Sequence, residues 1–559
     1  MNKFLRLSLL ILSFQLVGWA QNNLPSNPRF EIGKNVPAVQ LTAPDLNQIA
    51  LEDELREKQG VLYRIGVALP SLLSTNNAGT WTKLPDGSRQ WQLIVKTQGA
   101  EALSYLFEKF YLHGGSTLRI QNLEGQDVNP VLTSKDVEIH GMANAALCAG
   151  SAHLLTLTEP AYTTPSEILI DRVMYNYRST GFDSTEKINE SDPCEVNVNC
   201  SPVGDAWQDE KRGVARIYVV EGNQAGWCSG SLVNNTAQDC KPYFLTALHC
   251  GVTSTAANMN QWKFYFRYEA PTCVNPTSSG TLGSHVVSGC LRIADANDGG
   301  GNSGSDFLLV KLGNVNNEAT VINNLKSTNI NAYWNGWNAN NVATTGGVSL
   351  HHPAGDIKKI STFTGNTVST QWGSATGSHW RVVWTANSNG HGVTEGGSSG
   401  SPLFDNNSNI IGTLTGGASY CTSPSAPDQY GKMAFHWTNN GVTNELQLKP
   451  WLDPTNSNVF VLAGSPDPCS AAGVSSITNP LAVIQVYPNP AHEVLFVDVK
   501  DLEGINSIEL LDMNGKQILL QNKVQTGVNT LDIGHLDTGI YQVRISQNGY
   551  YTTHRLIKL

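Results

Sequence analysis

The chain has 559 residues, only 15% of them charged, with 36 basic and 46 acidic side chains and a net charge of −10. That length suggests about three or four domains of ~150 residues and excludes a single small binding module. No Lys/Arg-rich block is present, so a nucleic-acid partner is not expected. A hydrophobic share of 40% with 13 Trp excludes a disordered chain, and 52 glycines favour short strands and turns.

Residues 1–20 carry Lys3 and Arg6, then the apolar run LSLLILSF, and end in Gly18-Trp19-Ala20, a small-x-small cleavage site. This reads as a secretory signal peptide. No later run reaches the ~18 apolar residues of a transmembrane helix, so no stable membrane span is expected and the product should be secreted through the periplasm. In the first block, residues 21–187, WQLIVKT (91–97) and STLRIQN (116–122) alternate apolar and polar residues and predict strands. AEALSYLFEKFYLHG (100–114) predicts a helix closed by Gly114 or Gly115.

The second block, 188–464, predicts short strands at 214–220, 243–250, 262–268, 306–312 and 409–416, separated by Gly- and Asn-rich turns. That pattern suits an all-β barrel or sandwich. A linker rich in Ser, Pro, Ala and Gly covers 465–480, and a small β domain covers 481–559. SIELLDMNGKQI predicts a hairpin turning at Asn514-Gly515. There are ten cysteines, eight of them in the second block, and no CxxC pair. Spread cysteines of even number in an exported chain predict disulfides rather than a zinc site.

Three residues could act together. In GGSSGSP (396–402) glycines near Ser399 allow a sharp turn that exposes its hydroxyl, and the N–H groups of Gly397 and Ser399 could form an oxyanion hole. His249 ends the apolar strand of TALHC and could serve as a general base. Asp306 opens DFLLVKL and could orient an imidazole. Taken singly they read as a turn serine, a structural histidine and a strand-capping aspartate.

Together, CSGSLVN (228–234), TALHC (246–250) and GSSGSP (397–402) resemble the signatures of chymotrypsin-fold serine proteases, an all-β fold of two six-stranded barrels with the triad between them. Within that clan the chain is most similar to the bacterial lysyl endopeptidases, over about 194–455, including YFLTALHCG, SDF, HHP, GVTEGGSSGSP, DQYG and WLDP. The resemblance implies a His249, Asp306, Ser399 triad and a covalent acyl-enzyme. It implies protein or peptide substrates cut after Lys, without a cofactor or metal.

The position six residues before Ser399, where trypsin-type enzymes hold their pocket acid, is Val393. The resemblance instead places the acid at Asp428, in DQYG, where a buried carboxylate could receive a Lys ammonium. Trp372 matches an aromatic beside the catalytic His. In LTGG (414–417), Thr415, next to Gly416, stands where the family has His. Ser398 replaces the Asp that captures a new N-terminus in trypsin-like zymogens, so inhibition is expected from block 21–187 as a propeptide. Cleavage is expected at Lys187-Ile188, and a Lys-specific enzyme could make that cut itself.

The resemblance also implies disulfides Cys194–Cys421, Cys200–Cys273 and Cys228–Cys250. Cys240 and Cys290 are extra and could pair with each other, while Cys148 and Cys469 are left unplaced. His351-His352 lacks a third ligand and reads as a loop pair rather than a metal site. DANDGGGNSGSD (295–306) fails the EF-hand pattern and reads as a surface loop. The last block, through VYPNPA, MNGK, TGIYQVRI and RLIKL, resembles the sorting domain of type IX secretion cargo, which makes that machinery a partner. Competing readings are a broader Lys/Arg protease and, in a different class, a non-catalytic surface adhesin or pseudoprotease.

Overall fold

The structure, a computed structural model, describes residues 35–58, 61–123, 131–134, 143–144, 147–178, 189–277, 285–314, 317–470, 484–499, 505–512, 516–522, 524–525, 527–547 and 550–559. The signal-peptide reading at 1–20, the Lys187-Ile188 cleavage site and the Asn514-Gly515 turn lie outside them. The chain divides into two compact units, 1–469 and 470–559. The fold is all-β.

In the second unit, a three-stranded sheet (Ile484–Tyr487, Val494–Val499, Gly527–Asp532) faces a four-stranded sheet built on Ile505–Leu511 and Gly539–Gln547. Leu495, Val497, Ile508, Leu510, Val543 and Ile545 alternate inward and form its core. The predicted hairpin is present as the antiparallel pair Ile505–Leu511 and Gln517–Gln521.

In the first unit, the segment that resembles proteases carries two sheets. The first carries Val214–Glu221, Gln224–Leu232, Tyr243–Ala247, Lys263–Phe266, His285–Ser288, Cys290–Asp295 and Phe307–Leu312. The second carries Gly347–His351, Lys359–Phe363, His379–Val382, Pro402–Asp405, Asn409–Gly417 and Asp428–Lys432. The strands predicted at 214–220, 243–250, 262–268, 306–312 and 409–416 all fall on these.

The N-terminal block adds its own sandwich around Trp91, Leu93, Leu103, Tyr105, Phe107 and Leu157. One of its strands, Tyr63–Ser74, pairs antiparallel with Gln224–Leu232, so its sheet continues the first protease sheet. The helix predicted at 100–114 is a strand, Ala102–Tyr111. Its two faces are buried in different cores: Leu103, Tyr105 and Phe107 inside the sandwich, Ala102 and Leu106 against the protease. A strand apolar on both faces loses the period-2 alternation that marks a half-exposed one.

Four disulfides brace the first unit. Cys194–Cys421, Cys200–Cys273 and Cys228–Cys250 are joined as the resemblance implied. Cys240 bonds Cys469 rather than Cys290, bringing a residue of the expected linker onto the protease. Cys148 and Cys290 are buried outside these four bridges.

Candidate active site

Sheet register brings the first two residues together. Tyr243–Ala247 and Phe307–Leu312 pair antiparallel with Ala247 opposite Phe307, so the residues just past each end, His249 and Asp306, share one sheet edge. Asp306 Oδ1 accepts the His249 N–H at 2.9 Å, and Oδ2 lies 2.7 Å from Nδ1. Both residues are buried. That leaves Nε2, which is buried and has no hydrogen-bond partner among the described residues, Ser399 Oγ included. Burial pulls the His249 pKa down, but the Asp306 carboxylate, helped by Glu221 and Asp298, outweighs it and the net direction is up.

Ser399 lies in the turn leading into Pro402–Asp405 of the other sheet and is held from the first. Its carbonyl accepts the Ser229 N–H at 2.8 Å and lies 3.9 Å from Sγ of Cys250, the residue after His249. Cys228–Cys250 ties that region to the strand bearing Ser229. Gly397 has φ +95, and a Cβ there would lie 2.8 Å from Gly355 N and 2.9 Å from the His352 carbonyl. Only glycine fits that turn. Among the described residues, neither the Gly397 nor the Ser399 N–H is given to a protein acceptor.

Ser398 does not reach an acid. Its Oγ lies 2.8 Å from His351 Nδ1, whose Nε2 meets Ser361 Oγ at 2.9 Å. His351 is therefore not in a loop: it ends the strand Gly347–His351, and His352 follows with Nδ1 2.8 Å from the Asp356 carbonyl. Burial, with Lys359 nearby, drives the His351 pKa down to about 3, so this brace behind the serine loop is neutral.

A cavity of about 320 Å³ opens beside Ser399, with Thr415, Gly416, Trp372, Glu395 and Asp428 on its walls. Asp428 is buried at the start of Asp428–Lys432. Oδ2 accepts Trp384 Nε1 (2.5 Å), Thr394 Oγ1 (2.7 Å) and Ser419 Oγ (2.6 Å), while Oδ1 accepts only the Ser419 N–H (3.1 Å). Oδ1 keeps lone-pair capacity. A Cβ on Gly417 would lie 1.9 Å from it, so glycine leaves that oxygen uncovered. Burial raises the Asp428 pKa against these donors.

Trp372 covers Gly416, where a Cβ would come within 2.9 Å of the indole, and also borders Gly301, next to the catalytic loop. Thr415 Oγ1 meets His379 Nε2 at 3.0 Å. His379, which sequence reasoning missed, fills the space behind Thr415, and burial lowers its pKa to about 4. Two further acids were also missed. Glu395 lines the cavity, with its pKa pushed up to about 7 by burial. Glu195 lies fully buried next to Cys194, its pKa raised by burial and by Glu395. Its place four residues before Ser399 was the available signal for Glu395.

The stretch 295–306 is not a plain surface loop. Asp298 is buried, and Oδ1 accepts the Gly300 and Gly301 N–H groups while Oδ2 accepts the Asp306 N–H. The N-terminal block also reaches the site: Glu57, Val61 and Tyr63 line the same cavity, and a Cβ on Gly396 would lie 2.3 Å from the Tyr63 ring. Asn189, the first described residue after the expected cleavage site, donates its N–H to buried Asp356 at 3.0 Å.

Residues 188–431 match the family model of the lysyl endopeptidase C-terminal domain, and residues 485–559 match that of the secretion system C-terminal sorting domain. A curated lysyl endopeptidase of Pseudomonas aeruginosa is 24% identical over 429 residues, covering 72% of this chain and 84% of that protein. Among solved structures, the chain is similar to a thermostable serine protease, AL20, from an extremophilic microorganism (15% identity, 40% and 92% of the two chains, TM-score 0.28). It is also similar to protease Anisep from Arthrobacter nicotinovorans (17% identity, 40% and 90%, TM-score 0.28). The protein is a secreted serine endopeptidase. The match of its C-terminal segment to a sorting domain implies handling by the type IX secretion system.

Proposed function

We propose that this endopeptidase cuts on the C-terminal side of Lys through His249, Asp306 and Ser399. The observation that carries the reading is the short His249–Asp306 contact, together with a cavity lined by both Ser399 and a buried carboxylate, Asp428. Ser399 Oγ attacks the scissile carbonyl carbon while His249 Nε2 takes its proton. Asp306 holds Nδ1–H and favours the imidazolium that forms. The carbonyl electron pair moves to oxygen, facing the Gly397 and Ser399 N–H groups. Collapse breaks the C–N bond, the His249 proton goes to the leaving amine, and an ester to Ser399 remains. Water then enters and gives a proton to His249 as its oxygen attacks the ester carbon; collapse breaks the bond to Ser399 Oγ, which takes that proton back from His249 as the acid product leaves.

The Lys ammonium runs past Gly416 and Thr415 to Asp428 Oδ1, with Trp372 as an apolar wall along its methylenes. Residues 21–187 act as an inhibitory propeptide, removed at Lys187-Ile188 to free a protease domain at 188–464. The support is the Tyr63–Ser74 strand paired to the protease beside the cavity, with Tyr63 laid on Gly396.

The test is digestion of a denatured protein mixture, with cleavage sites mapped by mass spectrometry and Ser399→Ala run in parallel. Cuts almost only after Lys, lost in Ser399→Ala, are expected. Cuts after Arg as well would keep the mechanism and show that the Thr415 pocket selects less sharply. A correctly folded, mature protein that makes no cuts would return the chain to the pseudoprotease reading.

A further inference from the structure

We propose that Asp298 is a positioning residue for this reaction, one carboxylate that fixes both the loop cradling His249 and the backbone of Asp306. The inference rests on the triad reading above. Asp298 is 5% exposed and lies in the stretch that the sequence presents as a surface loop.

The geometry is a three-point clamp. Oδ1 accepts the Gly300 N–H at 3.0 Å and the Gly301 N–H at 2.9 Å, and Oδ2 accepts the Asp306 N–H at 2.8 Å. Each anchored residue touches the site. A Cβ on Gly300, at φ +84, would stand 2.8 Å from His249 Cβ, so the glycine backbone forms the floor under that side chain. A Cβ on Gly301, at φ +91, would meet Trp372, Thr415 and Asp306 at 3.1, 3.3 and 3.4 Å. Asp306 itself has φ +58, in the left-handed region that a residue with a Cβ rarely adopts. Such a conformation persists only where neighbours over-determine it, and it concentrates at functional sites. Here the neighbours are Asp298 on the N–H and Leu248, whose N–H meets the Asp306 carbonyl at 3.0 Å.

A neutral acceptor could bend the loop, but a carboxylate also places a negative charge near His249. The groups facing His249 are Asp306, Glu221 and Asp298, all raising its pKa against burial. Asp298 faces Asp306 along its own loop. On the far side of that loop Asn440 meets the Ser305 N–H at 3.1 Å. His379 and His436, also on the Asp306 side, are kept neutral by burial. Removing the Asp298 charge therefore lowers the His249 pKa. The active imidazole is the neutral form, so the acid limb of kcat/KM moves to lower pH.

The experiment uses the secreted full chain after its own maturation, with active sites counted by a serine-directed phosphonate and folding checked by thermal unfolding. Asp298→Asn keeps one acceptor oxygen but turns its NH2 toward the Asp306 N–H. The expected result is a fall in kcat of about 10- to 100-fold, the scale of a small misplacement of reacting groups, with KM little changed and the acid limb shifted down. Gly300→Ala keeps the carboxylate and presses on His249, so kcat should fall while the acid limb stays in place. This second variant serves where Asp298→Asn does not fold.

Wild-type kcat and acid limb in folded Asp298→Asn overturn the proposal. So does a kcat loss in that variant with an unmoved limb, because the role is then packing alone. Wild-type kcat in Gly300→Ala also overturns it. His249→Ala separates the two levels: if it stays active, the triad reading falls and takes this inference with it. If it is dead while Asp298→Asn behaves as wild type, only the inference falls.

Discussion

Asp306 and Asp428 are both buried, yet they are surrounded in opposite ways. Asp306 gives both oxygens to His249, and its backbone is gripped by a second acid, Asp298. Asp428 meets only neutral donors, three side chains and one N–H, and faces a cavity with one oxygen in reserve. The first arrangement couples charges so that a proton can be moved. The second holds one negative charge still until a cation arrives. On the proposed function the two protease sheets divide the work: proton transfer on one, recognition on the other, with the Ser399 loop pinned between them by Ser229.

That division can be broken one side at a time. The largest effect is expected from Asp428→Asn, which leaves an arriving ammonium buried without its counter-charge. Its kcat/KM on Lys substrates should fall by about 100- to 1,000-fold, while an ester with a neutral residue at the cleaved position is hardly affected. Equal losses on both substrates would mean that Asp428 props up the fold rather than selects Lys.

A middle-sized effect is expected at Tyr63. In a chain held uncut by Lys187→Ala, with nearby basic sites also blocked, Tyr63→Ala should speed phosphonate labelling of Ser399 by about tenfold, the scale of losing one partly buried aromatic contact. An unchanged rate would remove Tyr63 from the inhibitory contact.

The smallest effect concerns pH on the recognition side. The Glu395 carboxyl, raised to about 7 by burial, is neutral below that value and charged above it. KM for Lys substrates should therefore rise as pH falls through about 7, by about two- to fivefold. Glu395→Gln should flatten that dependence and leave the kcat limb of His249 in place. If the slope survives in Glu395→Gln, another group carries it.

Much of this was legible in the sequence. The strands around His249, Asp306 and Ser399 are short apolar runs set off by turn-rich text, and the order of motifs proposed a site before any geometry. Three things were hidden for physical reasons. The strand Ala102–Tyr111 buries both faces, so its pattern mimics a helix. Asp298 sits in a Gly- and Asn-rich stretch whose composition matches a solvent loop, and only the fold shows that its carboxylate turns inward to backbone N–H groups. Cys469 lies beyond the family match, in Pro- and Ser-rich text, and its bond to Cys240 depends on a chain path that spacing does not encode.

The pairing of Tyr63–Ser74 with Gln224–Leu232 has a kinetic consequence. Leu62, Ile65, Ala102, Leu106 and Met174 share one continuous apolar core with Tyr218 and Trp227 of the protease. On the proposed propeptide reading, severing the chain near residue 187 breaks none of those contacts, so nicking and release are separate events. The nicked product begins as a one-to-one complex, and free enzyme emerges with a lag set by dissociation or by destruction of the severed block. Dilution shortens that lag by preventing recapture, and a burst of activity in a crowded compartment then depends on how fast the loose block is consumed.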